Sequence, residues 1–296
     1  MPVLRPAAVA GMFYPDSPEV LSREVTALLA ACSAVPPCPL PIDDPASQSG
    51  GGAVEDGPKA LIAPHAGYVY SGPIAASAFS LLTRRGHAVD RVVLLGPTHR
   101  VAVRGLALPD CDAFATPLGD VPIDRTAADA LRDLPQVVTS GPAHRQEHSL
   151  EVELPFLRIA LGGFSLVPLA VGDASAEAVA QVLDRLWGGP ETLIVVSSDL
   201  SHYLPYDEAR RADSGTARRI VRLDSLIDHR QACGATPING LLAAARRRGM
   251  EVRLLDLRNS GDTAGDRRRV VGYGAFAFFE SPEARETREE EAHHVH

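Results

Sequence analysis

The chain has 296 residues, 45% hydrophobic and 22% charged, with a formal net charge of −8. That acidic balance argues against a nucleic-acid partner, because phosphate binding is driven by positive surface, and no apolar run reaches the roughly 18 residues of a membrane span. Four cysteines without CxxC spacing argue against a disulfide framework or a zinc ribbon, so a cytoplasmic protein with reduced thiols is expected.

In chain order, Ser17 can cap a helix whose first position suits Pro18, and Leu21, Val25, Leu28 and Leu29 then share one face. Residues 36–58, dense in Pro, Gly, Ser and Asp, read as a flexible insertion. From Lys59 onward, Val/Ile/Leu/Phe-rich runs at 59–63, 91–95, 165–171, 192–197, 252–257 and 270–279 read as strands buried on both faces. Helical stretches are expected at 73–83, 124–133, 150–161, 175–187, 208–228 and 237–248. The 175–187 stretch is the best punctuated, with Ser175 as cap, Val179, Val182, Leu183 and Leu186 as its apolar face, and Gly188-Gly189 as its stop. This alternation predicts one α/β domain over residues 1–280, a central mostly parallel or mixed sheet flanked by helices. Residues 281–296 read as a disordered acidic tail, with His293, His294 and His296 solvated.

Ligands of open α/β sheets bind beyond the carboxyl ends of the strands. Here the runs ending at Ala63, Leu95 and Val196 lead into Pro64-His65-Ala66-Gly67-Tyr68, Gly96-Pro97-Thr98-His99 and Ser197-Ser198-Asp199-Leu200-Ser201-His202. Parallel neighbours would bring His65, His99, Asp199 and His202 to one edge, and imidazole with carboxylate serves either a metal or acid–base chemistry. A second cluster is Glu147-His148-Ser149-Leu150-Glu151, where Glu151 and Glu153 also suit the positive end of a helix, a purely structural use. His144 and His148 are four apart but lack the Glu of HExxH, so a zincin is not expected. Cys233 precedes a helix with Thr236 as cap and Pro237 in its first turn, a position that stabilises a thiolate. The other reading, a buried inert thiol, stays open beside it, and Cys32, Cys38 and Cys111 read as structural.

The stretches RPAAVAGMFY (5–14), APHAGYVYSG (63–72), LGPTH (95–99), EHSLEVELP (147–155), VSSDLSH (196–202) and CGATPINGL (233–241) together resemble the Memo family, in the family's order. Memo proteins are similar in fold to the class III extradiol ring-cleaving dioxygenases, which hold Fe(II) with two His and one Glu. The resemblance implies that His65 and His99 stand at the histidine ligands, Cys233 in place of the carboxylate, and Asp199 as an additional ligand. It also implies an acid–base role for His202 and a pocket lined by His148, Glu151 and Tyr68. Sulfur in the ligand set shifts preference toward softer metals, so a single Fe(II) or Cu ion is expected ahead of Zn, with no organic cofactor. A metal-dependent redox or oxygenase-type role follows rather than standard ring cleavage. The implied partners are a small molecule or peptide in the pocket and, from the AmmeMemoRadiSam grouping of relatives, radical-SAM and AMMECR1-like proteins. The reading from another class is a non-catalytic scaffold that binds peptides or proteins through a vestigial dioxygenase pocket.

Overall fold

A computed structural model describes residues 2–33, 57–84 and 89–280. The insertion, apart from its last two residues, lies outside the described residues, as do Cys38 and the acidic tail with its histidines. The first half of the chain gives β1 (Leu4–Arg5), α1 (Pro18–Ser33), β2 (Ala60–Ala63), α2 (Tyr68–Phe79), β3 (Arg91–Pro97), β4 (Leu106–Leu108), β5 (Ala113–Phe114) and β6 (Val121–Pro122). Next come α3 (Arg125–Asp129), β7 (Val137–Thr139), α4 (Gly141–Arg145), α5 (Leu154–Leu161), β8 (Ser165–Val171) and α6 (Ala176–Leu186). The rest comprises β9 (Thr192–Ser197), β10 (His202–Leu204), α7 (Tyr206–Val221), α8 (Ala235–Arg247), β11 (Glu251–Asn259), α9 (Ser260–Thr263) and β12 (Val270–Phe279).

The central sheet is mixed and has nine strands among the described residues, in the order β10-β12-β2-β9-β3-β8-β4-β7, with β11 also paired to β12. Its middle strands β2, β9, β3 and β8 are mutually parallel, while β12 runs antiparallel to β2 and β4 antiparallel to β8. Period-2 alternation sorts the strand side chains into two cores. Leu61, Val92, Leu94, Leu193 and Val195 join α1, α2 and α5 on one face. Ile62, Val93, Leu95, Ile194 and Val196 join α6, α7 and α8 on the other. Because both faces are covered, the strands read as unbroken apolar runs rather than alternating ones. The α6 helix shows the helical counterpart: Ser175 accepts from Ala178 N, and Val179, Val182, Leu183 and Leu186 are buried, each contributing about 1.5–3 kcal/mol.

All six expected strands form, whereas β1, β4, β5, β6, β7 and β10, two or three residues each, are too short to show a period. Helix boundaries moved where tertiary contacts outrank local signals. The α2 helix starts at Tyr68 and runs through Pro73, ahead of the expected 73–83, because Tyr68 is pinned by its N–H to Phe13 O and its hydroxyl to Val152 O, both 2.8 Å. Thr236 is not the cap of α8: the helix starts at Ala235 after Gly234, and the Thr236 hydroxyl pairs with His229 at 3.2 Å. The α7 helix stops at Val221 rather than near 228, close to Leu223 at φ +55°, a left-handed residue that ends helices. No helix of the described residues is long and apolar enough to cross a membrane.

Candidate metal centre

The strand order decides the site. β9 lies between β2 and β3, so the segments leaving Ala63, Ser197 and Pro97 emerge side by side at one edge of the sheet. His65 and His99, two residues beyond β2 and β3, meet there with ring centroids 5.2 Å apart. His148 arrives from the loop before the 3-10 turn at Glu151–Glu153, stacked on His99 at 4.6 Å and edge-on to His65 at 5.3 Å. One ring nitrogen from each of the three lies within 4.8 Å of the others. The Cys233 sulfur adjoins this group, 3.5 Å from His65 Nε2. His65 is buried and His99 exposed, so the cleft opens to solvent on the His99 side.

Two glycines permit the close approach. A Cβ on Gly96 would stand 2.8 Å from Ser149 Oγ, and one on Gly234 would stand 2.7 Å from Ser198 Cβ. Any side chain at either place would push the His148 segment or the Cys233 turn away from the sheet edge.

Each ring is held from behind. Glu147 accepts from His99 N (2.6 Å), His148 N (3.0 Å) and Ser149 N (3.0 Å), and its Oε1 is 2.8 Å from His99 Nδ1. Burial pushes the Glu147 carboxyl up, but the hydrogen bonds from His99 and Ser149 outweigh it and hold the group at about 2. His65 Nδ1 lies 2.7 Å from Ser197 Oγ, which is also 2.8 Å from Glu153 Oε1 and 2.6 Å from Ser149 O. Phe13, from the amino-terminal segment, packs on the outer side of His148 at 4.8 Å. With the Nδ1 side of His65 and His99 engaged, Nε2 is left to face the cleft, the usual way a protein orients imidazole ligands. Burial and the neighbouring imidazoles hold His65 well below its ordinary value, and burial with His99 brings His148 to about 4, so both rings are neutral at pH 7 and carry a ligand lone pair.

The expected site residues divide. His65, His99, His148 and Cys233 are brought together. His202, on β10, is partly buried beside the cluster, where burial and the proximity of His99 hold it neutral. Asp199 Oδ1 accepts from His65 N at 2.9 Å, so this carboxylate holds the loop that carries His65; burial lifts it to about 7. Glu151 corrects the expectation of a pocket residue: it is fully buried and turned toward Arg5, Ala8, Val9 and Tyr14. Tyr68 is likewise a core residue, its ring against Tyr14 and Phe156. The Cys233 thiol departs from its expectation too, because burial and Asp199 push it up to about 12 instead of favouring the thiolate. Sequence reasoning did not single out Ser197 or Phe13 and gave Glu153 only a dipole role. The available signal was Ser197 as the last residue of a strand whose neighbours both end in histidine loops.

The donor set fits a metal ion. Nitrogen ligands bond at about 2.0–2.1 Å, which places opposite donors at most about 4.2 Å apart, a scale comparable with the observed spread of up to 4.8 Å. Three imidazoles, with a sulfur adjoining one of them, suit a soft or borderline transition metal rather than Mg or Ca.

Curated relatives match this protein over more than nine-tenths of its length. A MEMO1 family protein of Aeropyrum pernix is 37% identical, covering 92% of this chain and 98% of that protein. Another from Methanopyrus kandleri is 35% identical over 93% of this chain and 98% of its own, and one from Aquifex aeolicus is 34% identical over 93% and 99%. Among solved structures, an uncharacterized protein of Escherichia coli K12 covers 74% of this chain and 98% of its own, with a TM-score of 0.48 and 14% identity. The family described as Memo-like protein matches residues 5–277, and the chain belongs to it.

Proposed function

We propose that the cleft holds a single metal ion on His65, His99 and His148, with Cys233 as an adjoining fourth donor, and supports a redox or oxygenase-type reaction. The substrate is a small molecule or peptide entering on the His99 side. The observation that supports this reading is the cluster itself: one nitrogen from each of three imidazoles within 4.8 Å, two of the rings braced at Nδ1. Fe(II) or Cu suits the imidazole and sulfur donors ahead of Zn, and a reducing cytoplasm would keep the thiol available.

A bound ion would supply Lewis acidity and, as iron or copper, a redox couple. The chain's own residues do the rest. His202, held neutral by burial and His99, is the base that would accept a proton from the substrate. Asp199 keeps the His65 loop seated. Cys233 holds its proton until an ion arrives, so loading releases a proton and strengthens as pH rises.

The test is anaerobic reconstitution with Fe(II), Cu or Zn, followed by desalting and elemental analysis. About one ion per chain is expected in the parent, with most of it lost in His99→Ala and weaker retention in Cys233→Ser. A parent protein that retains no metal under any of these conditions defeats the proposal. The scaffold reading draws on a different observation, the exposed Met12, Val69 and Tyr70 near Phe13 at the edge of the cleft. Metal-free protein that binds peptide, with affinity unaffected by His99→Ala, would favour it.

A further inference from the structure

Ser197 Oγ has three close partners: Ser149 O at 2.6 Å, Glu153 Oε1 at 2.8 Å and His65 Nδ1 at 2.7 Å. A hydroxyl carries one proton and accepts at two lone pairs. The Ser149 carbonyl can only accept, so it takes the Ser197 proton. Glu153 and His65 must then both donate to Ser197, which requires a proton on Glu153 Oε1 and another on His65 Nδ1. Any other distribution leaves two oxygens, or an oxygen and a nitrogen lone pair, facing each other at hydrogen-bond distance with no proton between them.

The far oxygen of Glu153 gives an independent argument. Glu153 is fully buried, and its Oε2 has no hydrogen-bond partner among the described residues. A bare anionic oxygen in that position would cost far more than the carbonyl oxygen of a neutral acid. Resting on the metal reading above, we infer that Glu153 is a protonated carboxylic acid which, through Ser197, locks His65 as its Nδ1–H tautomer and so presents a bare Nε2 to the ion. Glu153 is thus a positioning residue at one remove from the ligand. Burial, with Asp199 adding to it and the Ser197 hydrogen bond opposing, also holds the Glu153 carboxyl well above its ordinary range.

Two metal-free measurements test the assignment. Infrared difference spectra of the parent against Glu153→Gln at neutral pH should show a carboxylic-acid C=O band, and Ser197→Ala, which removes only a hydroxyl, should move that band. Nitrogen NMR of labelled protein should show His65 protonated at Nδ1 in the parent and mixed tautomers in Ser197→Ala. Carboxylate bands in place of the acid band, or His65 protonated at Nε2, would overturn the inference whether or not the protein binds metal. With metal, Glu153→Ala and Ser197→Ala should bind Fe(II) about 10–100-fold more weakly, while Glu153→Gln, whose amide donates to Ser197 as the acid does, stays within about 3-fold of the parent. Equal losses in Glu153→Gln and Glu153→Ala, in protein whose far-ultraviolet spectrum and melting match the parent, would count against the neutral acid.

Discussion

Two carboxyl groups two residues apart, Glu151 and Glu153, are both sealed from solvent and have opposite fates. Glu151 pairs with the buried Arg5, accepts from Ala8 N (2.7 Å) and Val9 N (2.9 Å), and takes the Tyr14 hydroxyl at 2.6 Å. Every strong acceptor site on it is used, as a buried anion requires. Glu153 has a single hydroxyl neighbour and one oxygen with no partner. The first fastens the amino-terminal segment across the molecule; the second sits behind the His65 ring, with Ser197 between them. The difference teaches that burial alone does not mark a functional carboxyl in this fold: the partner count does.

The sharpest way to break that contrast is to truncate each acid. Glu151→Ala strands the Arg5 guanidinium and should cost about 3–5 kcal/mol in chemical denaturation, while Glu153→Ala, losing a neutral acid, should cost about 1–3 kcal/mol. Equal losses would dissolve the distinction. The next effect lies on the Glu151 side, where Arg5 Nε donates to His144 O and the buried His144 ring donates from Nε2 to Ala107 O at 2.9 Å. Burial lowers His144 from 6.5 to about 4. A depressed histidine stabilises the fold fully above its unfolded value and loses that contribution as pH falls through the folded one. About 3 kcal/mol should therefore disappear between pH 6.5 and about 4, and stability curves for His144→Gln should be flatter than the parent's across that window. An unchanged slope would remove His144 from the account. The smallest chemical change is Tyr14→Phe, which deletes one hydroxyl and its hydrogen bond to Glu151. A loss of about 1.5–3 kcal/mol is expected, with metal stoichiometry as in the parent. A fall in metal content instead would show that the latch and the cleft are one unit.

Legibility followed the range of the interaction. The six long strands were readable because burial on both faces writes a continuous apolar run into the sequence. The meeting of His65 and His99 followed from two strands ending alike, and only the interposition of β9 had to be supplied by the fold. His148 was placed in the pocket but not among the potential ligands, since its position depends on Glu147 binding the His99 N–H across the cleft and the His148 and Ser149 N–H groups within its own turn. Glu151 was misplaced because its partner Arg5 is 146 residues away and no local pattern links them. For Cys233 the sequence carried only the helix that follows, while desolvation beside Asp199 outweighs that helix.

The clasp between Arg5 and Glu151 also constrains the order in which the protein can assemble. Phe13, which walls His148, belongs to a segment whose backbone is tied at Ala8 and Val9 to a side chain 142–143 residues later. On the ribosome this segment emerges well before residue 151 and has nothing to dock on until that residue has left the exit tunnel, and such long-range closures form late in folding. The wall of the cleft is therefore among the last surfaces to be completed, and until then the three imidazoles lack the enclosure that the clasp provides.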